Sequence, residues 1–228
     1  MKKTLWIVMA GALIAAVAAT AQTEVLSQNA VGYIKKTLPA GGKFVSMCIP
    51  LDSMSNTDIL FGETSVADEA PVNTFVYFWD PVLQTWQAGG KSTKGWGAAA
   101  NRVIEPGEGF LMKSPVASTE PMDVTITGEV PADAMLSRVI PGSDAFGSLA
   151  NPYPVDFTFG TSALASNAPV NTFVYFWDID LQTWQAGGKS TKGWGAAANR
   201  EIQAGEGFLL RAPGGTFNWD AAKPYTWP

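Results

Sequence analysis

The chemistry open to this chain is carried by carboxylates, cations and tryptophans, because the sequence holds no histidine and one cysteine, Cys48. Without histidine there is no serine–histidine–acid triad, no imidazole general base and no histidine metal ligand. A lone cysteine makes neither a thiolate zinc site nor a CxxC redox pair. Cys48 lies in the apolar run Phe44-Val45-Ser46-Met47-Cys48-Ile49 and reads as a buried, inert thiol. The nearest approach to a glycosidase pair is Glu105 with Glu108, although Glu108 sits between two glycines, in a tight turn where a solvated side chain is expected. Asp178 and Asp180 are the nearest approach to a calcium loop.

Internal repetition decides among these groups. Residues 70–115 return as 168–213 at an offset of 98, with 38 of 46 positions identical and differences at 81, 82, 103, 105, 106 and 112–114. Glu108 returns as Glu206, but Glu105 becomes Gln203, and Asp180 stands where the first copy has Val82. A catalytic pair or calcium loop would then exist in one copy only. No catalytic residue, metal site or cofactor is assigned. The set that returns intact is polar and aromatic. Trp86, Gln87, Lys91, Lys94, Trp96, Asn101 and Arg102 recur as Trp184, Gln185, Lys189, Lys192, Trp194, Asn199 and Arg200. An exposed tryptophan in the KSTKGWG loop would stack on a sugar ring beside its amide and cationic donors. Arg and Lys would equally hold the carboxylates of an acidic polymer, and two sites on one chain would add avidity. The competing reading packs Trp86 and Trp96 in the core and leaves the lysines solvated.

The elements that must position these residues read as β. Phe75, Tyr77 and Trp79 alternate with Thr74, Val76 and Phe78, so both faces of this strand are apolar and a sheet covered on two sides is expected. Asp80-Pro81-Val82 supplies a turn, and residues 84–88 return as the hairpin partner until Gly89-Gly90 breaks the strand. Pro106-Gly107-Glu108-Gly109 turns the chain into a strand at 110–112, and further strands are expected at 33–38 and 124–127. Convincing helical periodicity appears nowhere beyond the first residues. A weaker echo pairs Pro39, Phe44, Ser46 and Pro50 with Pro141, Phe146, Ser148 and Pro152 at an offset of 102, so residues 51–57 read as a longer loop in the first copy. The expected fold is all-β: two tandem sandwich or barrel-like modules of about 100 residues, 23–129 and 130–228. Nothing in the sequence decides whether they stand apart or close as one pseudo-two-fold unit.

The start of the chain reads as an export signal over 1–21: Lys2 and Lys3, an uncharged apolar run, then Ala19-Thr20-Ala21 as a cleavage site. Its removal leaves 13 Lys and Arg against 20 Asp and Glu, a net charge of −7. That balance argues against nucleic acid and anionic membrane surfaces as partners, and no membrane span is expected after removal.

Three phrases resemble those of secreted or cell-surface β-repeat proteins of Gram-negative bacteria. They are residues 145–154 (AFGSLANPYP), Tyr175-Phe176-Trp177-Asp178 and Gly205-Glu206-Gly207-Phe208. The first copy matches at 77–80 and 107–110 but reads Ile49-Pro50-Leu51-Asp52 where the second has Asn151-Pro152-Tyr153-Pro154. The resemblance implies an exported or cell-surface β-module, in the periplasm, on the outer surface or outside the cell, and carries no catalytic residue across. The leading functional expectation is a non-catalytic structural or adhesive protein, self-associating or binding another surface protein. The alternative is a bivalent carbohydrate-binding protein that holds a polysaccharide through the KSTKGWG loop.

Overall fold

The computed structural model of the protein describes residues 30–54 and 58–226; the leader read at 1–21 and part of the loop at 51–57 lie outside them. The first module runs β1 (Val31–Leu38), β2 (Phe44–Cys48), β3 (Ile59–Leu60), α1 (Ser65–Glu69), β4 (Phe75–Asp80), β5 (Thr85–Gly90), β6 (Val103–Ile104), β7 (Gly109–Lys113) and β8 (Met122–Glu129). The second repeats this order as β9 (Met135–Ile140), β10 (Phe146–Ala150), β11 (Phe157–Thr158), α2 (Ala163–Asn167), β12 (Phe173–Asp178), β13 (Thr183–Gly188), β14 (Glu201–Ile202), β15 (Gly207–Arg211) and β16 (Phe217–Ala222). Each module holds an antiparallel four-stranded sheet, in the orders β2-β7-β4-β5 and β10-β15-β12-β13. In each, the first and last strands pair as a separate ribbon, β1 with β8 and β9 with β16. Two tandem all-β modules are therefore present, and the described residues form no closed barrel.

Alternation on β4 explains the layering. Val76 and Phe78 point into the module's own core, where Phe61, Phe110, Met112, Val124 and Ile126 are buried with them. Phe61 meets Phe78, Phe110 and Trp96 edge-on at centroid separations of 5.3, 5.9 and 4.9 Å, each contact adding about 0.5–1.5 kcal/mol beyond burial. On the other face, Trp79 reaches Phe146 of the second module, while Tyr77 packs on Phe44 and Phe75 of its own. The second core repeats the arrangement around Phe159, Phe176, Phe208 and Trp194. The second face of β4 is therefore covered only in part, not fully as the two-sided apolar pattern led one to expect: Trp79 meets the second module, Tyr77 is half-buried and Phe75 is exposed.

Two local expectations are corrected. Gly89 and Gly90 do not break the strand: they lie inside β5, opposite Val76 and Phe75. A Cβ on Gly89 would sit 2.3 Å from the Ala99 Cβ, and one on Gly90 3.0 Å from the Phe75 ring. The glycines are there for close packing, which a strand permits. Short helices also occur: α1 and α2 are capped by the Thr64 and Ser162 hydroxyls, which accept from the Ala67 and Ala165 N–H groups. Five residues are too few for a helical period to show. No helix among the described residues is long and apolar enough to cross a membrane.

Candidate functional site

The KSTKGWG segment closes as a tight turn, with Ser92 and Gly95 exchanging backbone hydrogen bonds, and runs into a 3-10 turn at Gly97–Asn101. Trp96 is not the exposed platform that sugar stacking requires. Its indole is 6 % exposed, packs on Phe61 and donates Nε1–H to the Ala67 carbonyl at 2.8 Å. Trp194 repeats this, 7 % exposed and bonded to the Ala165 carbonyl at 2.9 Å. Lys91 is not solvated either. Its ammonium donates to the Ala67, Asp68 and Ala70 carbonyls, each at 2.7 Å, and so closes the C-terminus of α1. Lys189 does the same for α2. Lys94, Lys192, Asn101, Asn199, Gln87 and Gln185 are exposed. Trp86 and Trp184 are half-buried, edge-on to Trp79 and Trp177.

Arg102 and Arg200 are also committed. Arg102 lies over the Phe78 ring and pairs through Nη2 with Glu108 Oε1 at 2.6 Å; Arg200 lies over Phe176 and pairs with Glu206 at 2.6 Å. Glu108 was expected to be solvated, yet it is buried, because its second oxygen accepts the Glu105 N–H and closes the turn that Gly107 (φ +72°) opens. Burial raises the Glu108 carboxyl above its ordinary 4.5, against the pull of Arg102. A raised folded value means that the folded chain holds the proton more tightly than the unfolded chain. This contribution to stability is full below 4.5 and is lost as pH rises through the folded value. Wild type is therefore expected to gain stability over Glu108→Gln as pH falls from neutral toward 4.5, read as the difference in Tm. A difference independent of pH would contradict it.

The residues that sequence reasoning missed are those joining the modules. Gln182 accepts the Phe44 N–H at 2.7 Å and donates to the Phe44 carbonyl at 3.1 Å, where Trp177 Nε1–H also arrives at 3.1 Å. Gln84 and Trp79 treat Phe146 identically, at 2.7, 3.2 and 2.9 Å. The Ser46 and Ser148 hydroxyls donate to the Gly207 and Gly109 carbonyls at 2.8 and 2.7 Å. Cys48 and Ala150 N–H groups donate to the Gly205 and Gly107 carbonyls. The joint is isologous: what residue i does to j, the copy of j does to the copy of i. Gln84 and Gln182 adopt φ +52° and +53°, a left-handed backbone unusual for glutamine, held by this clasp. A glutamine repeated at the end of both hairpin turns was the available signal. Cys48 is buried beside this joint, and its thiol is pushed up to about 12 by burial.

Two kinds of concavity stand out among the described residues, each present twice. A shallow groove of about 440 Å³ beside β5 is lined by Gln87, Gly89, Ala99 and Arg102, and one of about 410 Å³ repeats it with Gln185, Gly187, Ala197 and Arg200. A cleft of about 620 Å³ at the joint holds Trp79, Arg102, Glu105, Glu108 and Arg138. Arg138, also missed, donates to the Pro106 carbonyl at 3.2 Å and lies 3.5 Å from Glu105. Its counterpart cleft, about 250 Å³, has Lys36 and Gln203 in the corresponding places. The charged groups lining these clefts are already paired with one another or with carbonyls. The repeated residues thus hold turns, helix ends and the joint, and a free Lys–Gln–Asn surface is what is left to solvent. No family model, curated protein or solved structure matches the chain.

Proposed function

We propose that the chain is an exported, non-catalytic structural or adhesive protein of the cell surface or extracellular matrix. The observation that carries this reading is the fate of the duplicated residues. Trp96, Lys91, Arg102 and Glu108 each serve an internal partner, and so do their copies Trp194, Lys189, Arg200 and Glu206. The repetition therefore multiplies a scaffold. The leader-like start, the lack of histidine and the resemblance to secreted β-repeat proteins agree with it.

The carbohydrate-binding alternative keeps one support, the pair of equivalent grooves beside Gln87 and Gln185. Retention of the chain without its leader on a panel of insoluble and acidic polysaccharides separates the two. The structural reading expects passage without retention. Saturable retention on one polysaccharide, released by its free oligosaccharide, would replace that reading with the alternative.

A further inference from the structure

We infer that the outermost strands β5 and β13 are docking edges for a second copy of this chain, pairing antiparallel to build open-ended assemblies. The inference rests on the structural reading above and names the contact through which such a protein would assemble. Each four-stranded sheet has two edges. One edge, β2 or β10, is closed by the other module, through Gln182 and the Gly205 carbonyl or Gln84 and the Gly107 carbonyl. The other edge is β5 or β13, each paired on one side only. An antiparallel strand sends half of its N–H and C=O groups to each side, so both strands present an outward row of donors and acceptors.

Exposed edges are ordinarily guarded by lysine, proline or a bulge. The ribbons follow that rule: β1 carries Lys35 and Lys36, β8 Asp123 and Glu129, β9 Arg138 and β16 Asp220. In contrast, β5 and β13 share the sequence TWQAGG, which has no charge and no proline and pairs with β4 or β12 over six consecutive positions without a bulge. Thr85, Gln87, Ala88 and Gly90 are exposed, as are Thr183, Gln185, Ala186 and Gly188.

Charge complementarity selects the occupant and its direction. Each edge strand starts after an acidic turn, with Asp80 in one module and Asp178 and Asp180 in the other. Each ends in a basic loop, with exposed Lys94 or Lys192. Antiparallel pairing of two such strands sets the acidic turn of one copy against the basic loop of the other at both ends. Parallel pairing would set like charges together. The ladder continues the existing sheet, and because equivalent strands oppose only positions of like parity in an antiparallel pair, a register centred on Ala88 places Trp86 opposite the glycine that matches Gly90. Phe75 already faces Gly90 in this way inside the module. Because one chain carries two such edges related by the pseudo-two-fold joint, pairing does not close at a dimer.

The test compares wild type with Ala88→Lys, Ala186→Lys and the double variant, using light scattering at matched concentrations. Wild type is expected to pass the dimer mass, either single variant to stop at the dimer, and the double variant to stay monomeric with an unchanged circular dichroism spectrum. Thr85→Lys with Thr183→Lys, at the strand starts, provides a second blocked pair should the first misfold. An assembling wild type whose two double variants, both folded, assemble equally well overturns the edge contact and leaves the structural reading standing. A wild type that stays monomeric throughout overturns both.

Discussion

Replacing Trp96 with alanine is expected to destabilise the first module by about 3–5 kcal/mol, the range for removing a buried tryptophan. The indole packs edge-on against Phe61, the centre of an aromatic cluster that also holds Phe78 and Phe110. Its loss opens a cavity and leaves the Ala67 carbonyl without the Nε1–H donor. Trp194→Ala should cost the second module a similar amount, because Phe159 and the Ala165 carbonyl hold the same positions. Trp96→Phe retains a ring and should lose less, with about 1 kcal/mol of the loss from the hydrogen bond alone. Urea titration reads these effects as lower midpoints at unchanged slope. A Trp96→Ala variant as stable as wild type would contradict the burial and return the tryptophan to the surface role that sugar binding requires.

The second large effect is expected at the joint. A Cβ added to Gly207 would lie 2.8 Å from the Met47 carbonyl oxygen, 2.9 Å from Ser46 Oγ and 3.1 Å from the Gly109 Cα. One added to Gly109 would lie 2.7 Å from the Leu149 carbonyl oxygen. These neighbours are mostly backbone and cannot swing aside, so each alanine should cost about 1–3 kcal/mol, as overpacking does. The two together should separate the sheets. Each module keeps its own core, so calorimetry of the double variant should resolve into two transitions where wild type shows one. Gly215→Ala is the control: nothing lies within 4 Å of its Cβ, and its effect should stay within about 0.5 kcal/mol. A double variant that melts as wild type does would mean that the modules are not joined through these glycines.

Much of the fold was legible because it follows from local pattern. Apolar alternation on residues 74–79 announced a strand with one face in a core, although its second face proved only partly covered, and Gly–Pro turns marked strand ends. What was hidden depends on partners far along the chain. Gly89 and Gly90 look like strand breakers until Ala99 and Phe75 are seen packed on them. Trp96, flanked by glycines and two residues from a lysine, resembles a surface tryptophan; its burial is set by Phe61, 35 positions earlier. Glu108 is buried because Arg102, six residues back, folds over the turn to meet it. The clasp between Phe44 and Gln182 spans 138 positions, and no local period encodes it. Of the residues singled out as a candidate site, Trp96, Lys91, Arg102 and their copies serve internal partners, and Gln87, Lys94, Asn101 and their copies are left exposed.

The molecule that emerges has two joined modules, a sealed inner edge and an unguarded outer edge on each sheet. The most direct measurement is the weight-average mass of the purified chain from residue 22 onward as its concentration rises. Growth beyond the dimer with no plateau is the expected result. A monomer mass held at every concentration would contradict it.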